Sequence, residues 1–106
     1  MTKSEMVAKI GAGVRLQTLS QGIGFDLQVE EFGLVFMPAT GKMRRTPWDG
    51  KQWNWRTSVP ELFDEWVAAG MPTKARWLRD LAVKRGALSS YWNASYLLAT
   101  FDFLAD

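Results

Sequence analysis

The stretch "GFDLQVEEFGLVFMP", residues 24–38, decides the fold because it can be read in two ways. Phe25, Leu27 and Val29 alternate with Asp26, Gln28 and Glu30, which is the period of a strand with one buried face. "EEFG" (30–33) then reads as a turn, and "LVFM" (34–37) as a short apolar strand ended by Pro38. A helix through 25–37 competes, with Phe25, Val29, Phe32 and Phe36 on one face. Gly33 in the middle of that helix weighs against it. The reading adopted is two strands.

Toward the N-terminus, Val14, Leu16 and, less regularly, Leu19 alternate with Arg15 and Gln17, giving a further strand before the break "QGIG". A short helix precedes it. Thr2 with Glu5 forms a capping-box pattern, Met6, Val7 and Ile10 share helical spacing, and Gly11 and Gly13 end the run. On the other side lies "RRTPWDGKQWNWR" (44–56), whose Asp49-Gly50 predicts a hairpin with a type I′ turn. Trp48 would then face Lys51, Thr46 face Trp53, and Arg44 face Trp55. Arg45, Pro47, Gln52, Asn54 and Arg56 would occupy the opposite side. Pro47 cannot donate to a ladder, so its strand belongs at an edge.

From Ser58 the texture becomes helical. Ser58 with Glu61 is a second capping box, Leu62, Phe63, Trp66 and Val67 form one face, and Gly70 stops the helix. Pro72 starts another helix through about Arg85, with Trp77, Leu78, Leu81 and Ala82 inward and Gly86 at its end. Ser89 or Ser90 caps a last helix through about Leu104. The expected architecture is α+β: one domain over residues 1–106, with a small antiparallel sheet in the N-terminal half packed against three C-terminal helices.

Composition narrows the function classes. The 106 residues are 47% hydrophobic and include six Trp and six Phe, enough for one core without staples. There is no Cys and no His, which removes thiol chemistry, the commonest metal ligand and every His-based triad. "GAGVRL" and "GIGFDL" fail the dinucleotide-binding pattern, with Leu16 and Leu27 where its third glycine belongs, and "ATGKMRR" lacks the first glycine and hydroxyl of a phosphate loop. No enzyme activity, cofactor or metal is expected. Without a signal-type apolar segment or a run of 18 apolar residues, the expectation is a cytoplasmic protein that does not enter membranes.

Three constellations remain. Net charge is only +2, yet residues 42–56 and 71–86 each carry +4. In the first block Arg44, Arg45, Trp48, Lys51, Trp53, Trp55 and Arg56 combine cations with indoles, a mixture suited to a protein hot spot or to stacking bases. The competing assignment makes these tryptophans core. The second block places Lys74, Arg76, Arg79 and Lys84 on the helix 72–85, where Glu61, Asp64, Glu65 and Asp80 are the expected internal partners and phosphate the alternative. The third is the last helix, apolar around most of its circumference, so that Tyr91, Tyr96 and Phe101 are read as a subunit or partner interface, with a homodimer one form of it. The resulting expectation is a non-enzymatic protein-binding module, a small regulator or inhibitor docking on a larger complex. A phage- or plasmid-encoded inhibitor of a host defence complex is one concrete form of it. The alternative is a nucleic-acid-binding protein using the Trp/Arg hairpin and the basic helix.

Overall fold

The computed structural model describes residues 1–50, 57–85 and 93–106. Its elements run α1 (Lys3–Ile10), β1 (Val14–Gln17), β2 (Gly24–Val29), β3 (Gly33–Pro38), β4 (Arg44–Pro47), α2 (Val59–Ala68), α3 (Ala75–Lys84) and α4 (Ala94–Leu104). The four strands form an antiparallel meander in the order β1-β2-β3-β4. The expected α+β architecture is therefore present, with the sheet in the N-terminal half and three helices after it.

The ambiguous stretch is a hairpin. Glu30 and Gly33 exchange both backbone hydrogen bonds, at 2.9 and 3.2 Å, around Glu31 and Phe32. Phe25, Leu27, Leu34 and Phe36 all lie on one sheet face and join the core, because the register sets Leu27 opposite Phe36 and Val29 opposite Leu34. Gly33 has a reason beyond helix breaking. A Cβ there would stand 2.0 Å from the Thr46 carbonyl oxygen, so β4 can approach only a glycine.

The hairpin predicted at Asp49-Gly50 is corrected at its turn. Gly50 N–H donates to the Pro47 carbonyl at 3.2 Å, and Gly50 has φ 70° while Asp49 stays in the ordinary region. A type I′ turn requires positive φ at both central residues. The pairings proposed for Lys51, Trp53, Trp55 and Arg56 lie outside the described residues. The two sides of the first strand do come out as expected: Thr46 and Trp48 are buried with the core, while Arg45 is exposed. β1 ends at Gln17, short of Leu19.

Helix boundaries follow local chemistry. The Thr2–Glu5 capping box is complete, and the Thr2 backbone and hydroxyl hydrogen bonds hold the Glu5 carboxyl below its ordinary value. Ser58 Oγ accepts from Glu61 N–H at 3.2 Å. Gly70 (φ 88°) closes α2: its N–H reaches the Val67 carbonyl and Met71 N–H the Trp66 carbonyl, each at 3.0 Å, the two bonds of a Schellman stop. Val67, read as inward, is exposed. The helix predicted from Pro72 begins at Ala75 instead, because the Pro72 carbonyl accepts from Trp66 Nε1 at 2.8 Å and the segment is held over that indole. Ser89 and Ser90, read as the last cap, fall outside the described residues.

The terminal helix α4 packs into the core, and of the residues expected at an interface Phe101 is buried by this chain, Tyr96 is half-buried and Tyr91 lies outside the described residues. Phe101 is 0% exposed, with ring centroids 5.4 Å from Phe63 and 5.7 Å from Trp66. Leu97, Leu98 and Leu104 are buried beside it. The sheet lies on one side of α4, α2 and α3 on others, and Lys9 of α1 donates to the Leu104 carbonyl at its end. Much of its apolar surface is buried by this chain itself, while Tyr96 and Phe103 stay partly exposed.

One ion pair ties α2 to the end of α3. Arg85 Nη1 donates to Glu65 Oε2 at 2.7 Å and to Thr57 Oγ1 at 2.8 Å, while Nη2 bonds Glu65 Oε1. The hydrogen bonds from Arg85 hold the Glu65 carboxyl below its ordinary value of 4.5. A depressed carboxyl stabilises the fold at pH above its unfolded value, and that contribution disappears as pH falls through the folded value. Glu65→Gln is therefore expected to lose about 1 kcal/mol at neutral pH, a figure already reduced for the pair's partial exposure. In urea titrations the gap between wild type and variant should close below pH 4.5. A gap that persists there would refute the assignment.

Candidate functional site

Among the described residues, helices cover only one face of the sheet. Alternation along each strand sends Arg15, Asp26, Gln28, Val35, Met37 and Arg45 to the face opposite the core. Among the described residues, every helix buries its apolar side chains on the other face. Val35 is the exception in burial: it is only 1% exposed although it lies opposite the core. Gln28 and Arg45 are its register partners on the two neighbouring strands. Arg45 extends over the ring of Phe32 in the β2–β3 turn, 5.2 Å from its centroid, and Phe32 remains 38% exposed. This cation–π pair is a preordered arginine-aromatic unit on the face that no described helix covers.

The other residues of the first constellation separate. Trp48, expected on a partner-binding face, is 7% exposed. Its backbone accepts from Val59 N–H and donates to the Phe32 carbonyl, its Nε1 donates to the Glu30 carbonyl at 3.2 Å, and Lys3 lies over its ring. It is a core residue, as the competing assignment had it. Arg44 points to the core side of β4, where its guanidinium covers the Tyr96 ring at 5.6 Å and its Nε is buried without a hydrogen-bond partner. Tyr96 itself is half-buried, edge-on to Phe25 at 5.1 Å and stacked on Phe36 at 5.9 Å. Lys51, Trp53, Trp55, Arg56 and Tyr91 lie outside the described residues.

The basic helix keeps its cations at the surface. Lys74, Arg76, Arg79 and Lys84 are all exposed, and Val83 between them is 58% exposed. The acids expected to neutralise the start of α3 are engaged elsewhere: Glu65 with Arg85, Glu61 with the Ser58 hydroxyl, and Asp64 with the α-amino group of Met1. Arg76 and Asp80 pair at 3.7 Å in full solvent, a contact of little energetic weight. Lys74 occupies the N-cap position with no side-chain cap bond.

A further feature was not legible in the sequence. A groove of about 770 Å³ runs beside β1, with Leu16, Leu19, Ala99 and Phe103 as apolar lining and Arg15, Asp102 and Asp106 as its charged residues. It joins residues about 85 positions apart, so no local pattern announces it. Among the described residues no group of three or more acidic side chains is placed to hold a metal ion, and no helix is long and apolar enough to cross a membrane. Comparison with protein-family models, curated proteins and solved structures gives no match to this chain.

Proposed function

We propose that the chain is a non-enzymatic protein-binding module, a small regulator or inhibitor that docks on a larger complex through the sheet face opposite the core. The observation that carries this reading is the Arg45 guanidinium seated on the exposed Phe32 ring, on a face that no described helix covers. Arginine and large aromatic side chains dominate the energetics of protein contacts. A pair already ordered in the free protein loses less side-chain entropy on docking. The absence of His and Cys leaves few groups suited to general-base or nucleophilic work near neutral pH, which favours binding over catalysis.

The rival is nucleic acid held by the exposed cations of α3. Asp80 interrupts that stripe and pairs with Arg76, which weakens it as a phosphate track. Fluorescence anisotropy with labelled single-stranded and duplex DNA and RNA, between about 50 and 200 mM salt, separates the two. The expected result is no saturable binding at either salt. Saturable binding that weakens steeply with salt, and whose slope falls in Arg79→Ala, would replace the present reading with the rival. A photo-crosslinking side chain at position 32 should yield discrete protein adducts that Arg45→Glu suppresses without lowering the melting temperature. Adducts indifferent to Arg45 would remove the sheet face from the proposal.

A further inference from the structure

Among the described strands, the two ends of the sheet differ. At β4, Pro47 has no N–H to present, and the side-chain amide of Asn93 donates to the Arg45 carbonyl at 2.9 Å and to Thr46 Oγ1 at 3.3 Å. Among the described strands, this end of the sheet is therefore met by a side-chain amide and carries a proline. β1 carries no proline. Thr18 N–H donates to the Ile23 carbonyl, and the ladder continues with Leu16 opposite Phe25 and Val14 opposite Leu27. By the alternation of an antiparallel pair, Leu16 and Val14 turn their backbone groups to β2, while Arg15 and Gln17 turn theirs outward. Both residues are exposed.

Beside β1 lies the 770 Å³ groove, whose wall is the last turn of α4. Its chemistry limits what can fill it. Leu16, Leu19 and Phe103 present apolar surface, and Leu19 and Ile23 of the adjoining turn are among the exposed large hydrophobics. Arg15 is the lining cation, and it is bonded to Asp26 at 3.3 Å on the far face. Asp106 has a cation beside it, since Lys9 Nζ bonds its backbone oxygen and lies over the Phe103 ring; Asp102 makes no ion pair among the described residues and is the acid the groove presents.

We infer that β1 is a strand-addition site: an extended segment of a protein partner pairs with Arg15 and Gln17 and lays alternate apolar and basic side chains into the groove. Main-chain hydrogen bonds supply the attachment, and the pockets facing alternate side chains supply selection. The basic residue meets Asp102. A second copy of this chain is less suited, since the β1 strand it would contribute carries one cation, Arg15, already engaged by Asp26. This site is separate from Phe32 and Arg45 and does not rest on the sheet-face reading, so either can fail alone.

The test uses the full chain and a capped seven-residue peptide in which threonines alternate with valine, lysine and valine. Its twin carries glutamate in place of the lysine. In the free protein the Arg15 and Gln17 amides should exchange with solvent much faster than Leu16. Adding the lysine peptide should slow both by at least about tenfold, and the glutamate twin should bind about tenfold more weakly. Gln17→Pro removes only an outward N–H, so it should abolish binding while the amide spectrum keeps its native dispersion. Should that variant not fold, Asp102→Lys, an exposed change, must reverse the preference between the two peptides. Unchanged exchange at Arg15 and Gln17 with peptide present, or a preference indifferent to residue 102, would overturn the inference. Protection that grows with protein concentration alone would overturn it in favour of self-pairing.

Discussion

Replacing Phe101 by alanine is expected to destabilise the domain by about 3–5 kcal/mol. The ring is fully buried, edge-on to Phe63 and tilted against Trp66, on the helix around which the rest of the core is arranged. Its removal forfeits both the transfer free energy of a large apolar group and the contacts lining the space it leaves. Domains of this size are stable by only about 5–15 kcal/mol, so the variant should sit near the edge of folding. Urea unfolding followed by tryptophan fluorescence measures the loss directly. Phe103→Ala is the companion, since that ring is only partly buried and borders the groove. Its cost should be less than half as large. If Phe101→Ala leaves the unfolding midpoint in place and changes only oligomeric state, α4 is an interface after all and its placement in the core is wrong.

Gly33→Ala should be nearly as damaging, at about 3 kcal/mol, from the addition of a single methyl group. The new Cβ would lie 2.0 Å from the Thr46 carbonyl oxygen and 2.8 Å from Pro47 Cα. Both are backbone atoms, and neither can swing aside as a side-chain terminus can. β4 must withdraw from β3, weakening the adjacent bond from Trp48 N–H to the Phe32 carbonyl and with it the seating of Trp48. Gly24→Ala in the neighbouring strand is the internal control. There the nearest atom is the tip of the flexible Arg15 guanidinium at 3.2 Å, so the cost should stay within about 1 kcal/mol, with reduced unfolded-state entropy acting in its favour. Equal stabilities for the two variants would refute the close approach of β3 and β4.

Much of the architecture depends on near neighbours and was readable for that reason. The alternation Phe25–Leu27–Val29, the Thr2–Glu5 box, the Ser58 cap and the Gly70 stop each involve groups within a few residues of one another. Steric and hydrogen-bonding rules at that range leave few outcomes. Gly33 is locally hostile to a helix, but the backbone of β4 that excludes its Cβ comes from 13 positions later. Val67 shares the helical spacing of the buried residues yet is exposed, because spacing defines a stripe while tertiary packing sets how much of it is covered.

The candidate site was legible only in its ingredients. Arginines and tryptophans at 44–56 were visible in the chain, but nothing local distinguishes Trp48, locked between Val59 and Phe32, from an indole presented to a partner. The same holds for Phe101: a helix apolar on all sides needs cover, and the chain alone does not say whether that cover is a second protein or its own sheet. The amino-acid sequence by itself determined which segments are strands and helices and where most of them stop, since those choices are made by contacts a few residues apart. Tertiary structure alone decided which of the described aromatics are core, that Arg45 meets Phe32, and that β1 lies beside a groove presenting Asp102, because each depends on surfaces brought together from distant parts of the chain.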